Sequence, residues 1–141
     1  MKRFLLVALT ICSLVACRHE TPEAKVRAAF ASCMVAVEKS DAGTVTDLLA
    51  PDFEGPEGMD RGAVRLYLMG VFRQQKVGVS VLANRVQIKR GEAVQAVDLV
   101  LIAKGGGLLP EDAGRHGYLI RWREIKGDWK IRSVEKVGPN S

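Results

Sequence analysis

Near Lys76 the apolar period of this chain changes from about 3.6 residues to 2, so helices must precede strands. Upstream, Thr21-Pro22-Glu23 has the form of a helix start: a hydroxyl cap, a proline at the first position and an acid in the first turn. Val26, Ala29, Phe30, Cys33, Met34 and Val37 then fall on one helical stripe. Asp41 caps a second, short helix that ends near Ala50, where Pro51 stops it. A loop over residues 54–60 leads to a third helix, roughly Arg61 to Gln75, with Val64, Tyr67, Leu68, Val71 and Phe72 on one face. Leu66 and Met69 lie on its far side, where a sheet edge or a partner could cover them. Downstream, Val77, Val79 and Val81 alternate, and the apolar parity then shifts to Leu82, Val86 and Ile88. A parity shift within one strand predicts a β-bulge near residues 82–84. Gly91-Glu92 is a turn candidate, and Ala93 to Lys104 is a strand apolar on both faces. After a glycine-rich loop, Gly105 to Gly114, two more strands run from Arg115 to Lys126 and from Trp129 to Val137, joined at Gly127-Asp128. Three helices followed by a four-strand meander make an α+β domain.

The element order, the Asp41-to-Phe53 segment with its Ala-Pro-Asp-Phe ending, and the terminal Gly-Asp-Trp-Lys-Ile run together resemble the nuclear-transport-factor-2-like superfamily over residues 22–137. The resemblance implies three N-terminal helices packed in a curved four-stranded antiparallel sheet, a cone with an inner cavity. The other small α+β arrangement compatible with the pattern is of the cystatin type. Some members of the superfamily are isomerases, dehydratases or polyketide cyclases that use a cavity Asp–His pair. Members often dimerise through the outer sheet face, where Val100 and Ile102 would suit a homodimer although nearby arginines oppose it.

The first sixteen residues read as an export signal: Lys2-Arg3, then about 13 mostly apolar residues, too few to span roughly 30 Å of hydrocarbon as a helix. Leu14-Val15-Ala16-Cys17 resembles the lipobox of bacterial lipoproteins. That resemblance implies a diacylglycerol on the Cys17 thiol, cleavage after Ala16 and acylation of the new amine. Residues 17–21 then form a lipidated tether, and 138–141 a tail. Three acyl chains hold a protein firmly, at about 0.8 kcal/mol per buried methylene. Arg18 stands where an inner-membrane retention signal would have aspartate, which favours the outer membrane, facing the periplasm. With Cys12 lost and Cys17 alkylated, only Cys33 remains as a thiol, and its plain reading is a small buried hydrophobe. Without lipidation, a Cys17–Cys33 disulfide becomes possible. Leaving Lys2 and Arg3 aside, 19 basic residues face 16 acidic ones, a mild excess. No nucleic-acid motif is present, and a nucleic-acid partner is improbable for an exported chain.

Few residues suggest chemistry. Asp98 is a lone carboxylate in an apolar strand; buried without a partner, such a group titrates high and could act as a general base. Pairing across Gly91-Glu92 sets Arg85 opposite it, and a cross-strand ion pair explains the acid without catalysis. His116, at the end of the glycine-rich loop, could exchange a proton near neutral pH. These two are the weak catalytic candidates. His19 and His116 are too distant, and cysteine pairs too few, for a metal site. No phosphate-binding loop, nucleophile elbow or dinucleotide fingerprint appears, so no cofactor is expected. Pairing about Gly127-Asp128 puts His116, Tyr118, Ile120, Trp122, Trp129, Ile131 and Ser133 on one face, which suits the concave side. Arg121, Arg123, Lys130, Arg132 and Lys136 fall on the other, with Arg123 opposite Arg132. That basic face is either solvated or meets an anion, such as acidic lipid headgroups or an acidic protein. Tyr67, Asn84, Gln95, Tyr118 and Trp122 are the candidate pocket-lining residues. The reading is a membrane-anchored, non-catalytic module for a small apolar ligand or a periplasmic protein segment. A cavity enzyme and an accessory or inhibitor lipoprotein acting by surface contact are its rivals.

Overall fold

The computed structural model describes residues 19–104 and 115–138. The leader, Cys17 with Arg18, the Gly105–Gly114 loop and the Pro139–Ser141 tail lie outside the described residues.

Helix α1 runs Pro22–Glu38. The Thr21 hydroxyl accepts from the Ala24 N–H at 3.2 Å, and Pro22 sits where a missing N–H costs nothing. Val26, Phe30, Cys33 and Ala36 form its buried stripe. Helix α2, Ala42–Asp47, is capped by Asp41, which accepts from the Thr44 N–H at 3.0 Å and the Thr44 hydroxyl at 2.6 Å. Those donors, the hydroxyl first, hold the Asp41 carboxyl below the usual carboxylate range. Helix α3, Arg61–Gln74, starts at Asp60, whose carboxylate accepts from the Ala63 N–H at 2.8 Å. All three helix starts are those anticipated from the capping residues. No helix among the described residues is long and apolar enough to cross a membrane.

The sheet has five strands, one more than expected: β1 (Leu49–Glu54), β2 (Lys76–Lys89), β3 (Glu92–Lys104), β4 (Arg115–Ile125) and β5 (Asp128–Val137). Their order is β1-β5-β4-β3-β2, antiparallel throughout except that β1 runs parallel to β5. The added strand contains Pro51 and shows no alternation, so it carries no strand signal. Proline is tolerated there because β1 is an edge with one side unpaired.

Both tight turns sit one residue earlier than expected. Lys89 pairs with Glu92 around Arg90-Gly91, and Ile125 with Asp128 around Lys126-Gly127. In the second, φ is +52° at Lys126 and +83° at Gly127, a type I′ pattern that takes glycine in its second position. Moving a turn by one residue shifts each cross-strand pair by two, so faces are kept and partners change. The β2 bulge falls at Leu82, between Val81↔Leu99 and Ala83↔Asp98. A second bulge, at Arg132, was not anticipated: Trp122 pairs with Ile131 but Arg121 with Ser133. Beyond it every β5 side chain changes face. Ser133 therefore joins Arg121 on the outer face, and Lys136 comes inside opposite Tyr118.

The core packs Val26 and Phe30 of α1 against Val97, Trp122, Trp129 and Ile131 on the concave side. Each such side chain contributes about 1.5–3 kcal/mol on burial. Cys33, Ala36 and Val45 form a smaller cluster between α1 and α2.

Candidate functional site

The concave sheet face and α3 border an open cavity of about 370 Å³. Leu68, Val71 and Phe72 of α3 wall one side, and Val77, Leu101 and Tyr118 of the sheet the other. An adjoining hollow of about 270 Å³ shares Tyr67, Leu68, Leu101 and Tyr118, and its floor is apolar: Phe30, Val64, Leu99, Ile120 and Val134. The polar groups gather on the outer cavity, where Glu57, His116 and Lys136 belong to the lining. Glu57 holds φ +58°, ψ +24° in a 3-10 turn over Pro56–Gly58, a left-handed conformation uncommon outside glycine and asparagine. The rings of His116 and Tyr118 lie 6.3 Å apart, tilted by 58°.

Of the five residues expected to line a pocket, Tyr67 and Tyr118 lie on this cavity. Asn84, Gln95 and Trp122 do not. They form a hydrogen-bonded chain farther along the concave face: the Trp122 indole N–H donates to Gln95 Oε1 at 2.9 Å, and Gln95 Nε2 donates to Asn84 Oδ1 at 2.9 Å. Gln95 is 0% and Trp122 1% exposed, so both amide ends of Gln95 are used internally rather than offered to a ligand.

Asp98 and His116 are not brought together. Asp98 pairs with Gly117 and His116 with Leu99, so they occupy opposite faces of the sheet. The expected Arg85–Asp98 pair is not formed either, since Arg85 lies opposite Ala96 and Asp98 opposite Ala83. The cation on Asp98 is Arg115, whose Nη2 donates at 2.8 Å. The acid is 1% exposed and leans over Gly117, where an added Cβ would meet Asp98 Oδ1 at 3.2 Å and the Gly138 carbonyl at 2.7 Å.

The basic outer face has an internal anion. Arg123, opposite Lys130 and not Arg132, binds Asp52 of β1 through two bonds of 2.6 and 3.2 Å. The Arg123 bonds hold the Asp52 carboxyl below its ordinary range. Lys130 donates to the Asp47 carbonyl at 2.7 Å. The repulsion read from sequence is thus relieved by the strand that sequence did not reveal. Ile102 on this face stays 49% exposed, as do Leu66 (72%) and Met69 (37%) on α3.

Cys33 is buried, and desolvation pushes its thiol up to about 11. Iodoacetamide at pH 8 should leave it unmodified in the native protein and label it fully in guanidinium, read by peptide mass. Among the described residues, no group of three histidine, cysteine or acidic side chains could hold a metal ion.

Lys136, Glu57 and Leu101 are among the cavity residues that sequence reasoning missed. Lys136 carried a usable signal: Trp129 and Ile131 are apolar at odd positions and Val134 at an even one, the same parity shift that located the β2 bulge.

No family model matches this chain, and no curated protein matches it. Solved structures do. An NTF2-like protein from Cytophaga hutchinsonii superposes with a TM-score of 0.66 at 16% identity, covering 84% of this chain and 99% of that one. A Streptomyces avermitilis protein of the NTF2-like family, provisionally named a dehydratase, gives 0.70 at 16% identity, covering 86% and 100%. A Nostoc punctiforme protein of unknown function with a cystatin-like fold gives 0.64 at 16% identity, covering 83% and 91%. The fold of this chain is therefore nuclear-transport-factor-2-like, with three helices and a five-stranded curved open sheet.

Proposed function

We propose that this nuclear-transport-factor-2-like cone is a non-catalytic binding module for a small apolar ligand, carried on a lipid anchor at Cys17. The observation that carries the reading is the split of polar groups across the sheet. Asp98, the buried acid, lies on the outer face with Arg115, while the cavity beyond His116 and Lys136 ends in an apolar floor. A proton-shuttling Asp–His pair needs both groups within reach of one substrate, and this arrangement keeps them on opposite faces of the sheet. A hollow of this volume, with apolar walls and a few polar groups at one end, is the usual form of a small-ligand site.

The anchor rests on Lys2-Arg3, the short apolar run and Leu14-Val15-Ala16-Cys17. Arg18 after the cysteine favours the outer membrane, with the domain in the periplasm close to the bilayer. Native mass spectrometry of protein gently extracted from its own membrane tests both parts. The expected species begins at Cys17, carries a diacylglyceryl group and a further acyl chain, and releases a small non-covalent molecule on mild activation. An empty domain with no partner argues against the ligand, and a free Cys17 thiol or an uncut leader removes the anchor.

A further inference from the structure

We infer that the ligand of this cavity is an amphiphile with an anionic head, such as a carboxylate, held by Lys136 while its apolar part fills the floor. The inference rests on the reading of the cone as a ligand site and names the chemistry of what enters it.

The cation, an exposed residue, is on the concave face only because of the second bulge. In a regular β4–β5 ladder, position 136 would fall on the outer face with Arg121 and Arg123. The extra residue at Arg132 reverses the parity, and Lys136 faces the concave side directly opposite Tyr118. Bulges recur where a side chain must be re-aimed, and this one re-aims an ammonium toward an apolar hollow. Among the described residues Lys136 forms no ion pair: Glu57, the acid on the same lining, is not within pairing distance, and the four ion pairs found there all lie elsewhere. Three neighbouring cations of the sheet are used structurally, Arg115 on Asp98, Arg123 on Asp52 and Lys130 on a helix-end carbonyl.

Charge and apolarity are also ordered along the cavity. Lys136, His116 and Tyr118 share the outer part, and Leu99, Ile120 and Val134 lie below. Lysine can lay its methylenes along apolar surface and keep its ammonium wet until an anion arrives. Placed at the edge of a low-dielectric hollow, the ammonium attracts an anion more strongly than it would on an open surface. A wholly apolar ligand would gain nothing from it and would pay for its partial desolvation. Glu57 opposes an anionic head, so it sets selectivity by disfavouring heads that reach too far toward the Pro56–Gly58 turn.

The test uses the full chain carrying Cys17→Ser, which removes the lipid site and leaves the cavity lining unchanged, titrated calorimetrically with decanoate, decanol and decyltrimethylammonium. Decanoate is expected to bind at least tenfold tighter than decanol, with the cationic amphiphile weakest. Lys136→Gln should bring decanoate down to the level of decanol and leave decanol within twofold, and Lys136→Glu should reverse the order of the two ions. Equal binding of decanoate and decanol, unmoved by Lys136→Gln, overturns the anionic head while leaving an apolar-ligand site standing. Failure of all three to bind overturns both.

Discussion

Gln95→Leu lowers the unfolding free energy by about 3 kcal/mol, the cost of leaving a buried indole N–H without an acceptor and stripping Asn84 of its donor. For a domain of this size that is a fall of roughly 10 °C in melting temperature. Leucine matches glutamine in size, so little of the loss comes from a cavity. Gln95→Glu keeps the acceptor for Trp122 but replaces the amide donor with an oxygen facing Asn84 Oδ1, and buries a charge. The stringent version is a double-mutant cycle. Gln95→Leu combined with Trp122→Phe removes both partners and should cost less than the sum of the singles by about 1–2 kcal/mol. Additive losses in thermal or urea unfolding would show that the chain contributes nothing as a unit.

Gly117→Ala is expected to cost about 2–3 kcal/mol, for a different reason. The new methyl would stand 2.7 Å from the Gly138 carbonyl and 3.1 Å from that of Val137, both backbone atoms, and 3.2 Å from the Asp98 carboxylate. The strand end and the acid must move together, which also loosens the Arg115–Asp98 pair. Gly70→Ala is the control: it lies in α3 with nothing within 4 Å of the added carbon, and should stabilise the protein by about 0.5–1 kcal/mol. A neutral Gly117→Ala in the same urea series would mean that the outer face is more yielding than its geometry implies.

The parts of this fold that could be read from sequence are those whose signals are local. Thr21, Asp41 and Asp60 announce the helices because a side-chain cap acts within three residues. The β2 bulge could be placed because Val79, Val81, Val86 and Ile88 register the parity change. β1 could not, because Leu49-Ala50-Pro51 looks like the end of a helix and becomes a strand only by lying against β5. The partner of Asp98 is not legible because sequence favours a turn at Gly91-Glu92 over the observed Arg90-Gly91, a difference that moves the opposing residue from Ala83 to Arg85 but preserves the face. That is why Asn84 and Gln95 were still set inward, even though they bond to each other and not to a ligand. Lys136 was set on the wrong side by a bulge whose clue, Val134 after Ile131, was weaker than the alternation around it. Nothing in the sequence announces the use of Asp52 as the anion for Arg123, since that contact spans 71 residues and depends on the missed strand.

The reading of the cone as a ligand site depends on the hollow being able to take up an apolar molecule. N-phenyl-1-naphthylamine, titrated into the full chain carrying Cys17→Ser and followed by its fluorescence, tests this most directly. One saturable equivalent should bind. Leu101→Trp, which fills the space shared by the outer cavity and its floor, should weaken binding at least tenfold, whereas Leu66→Trp on the exposed side of α3 should leave it unchanged. Binding that does not saturate, or that survives Leu101→Trp intact, would contradict the account.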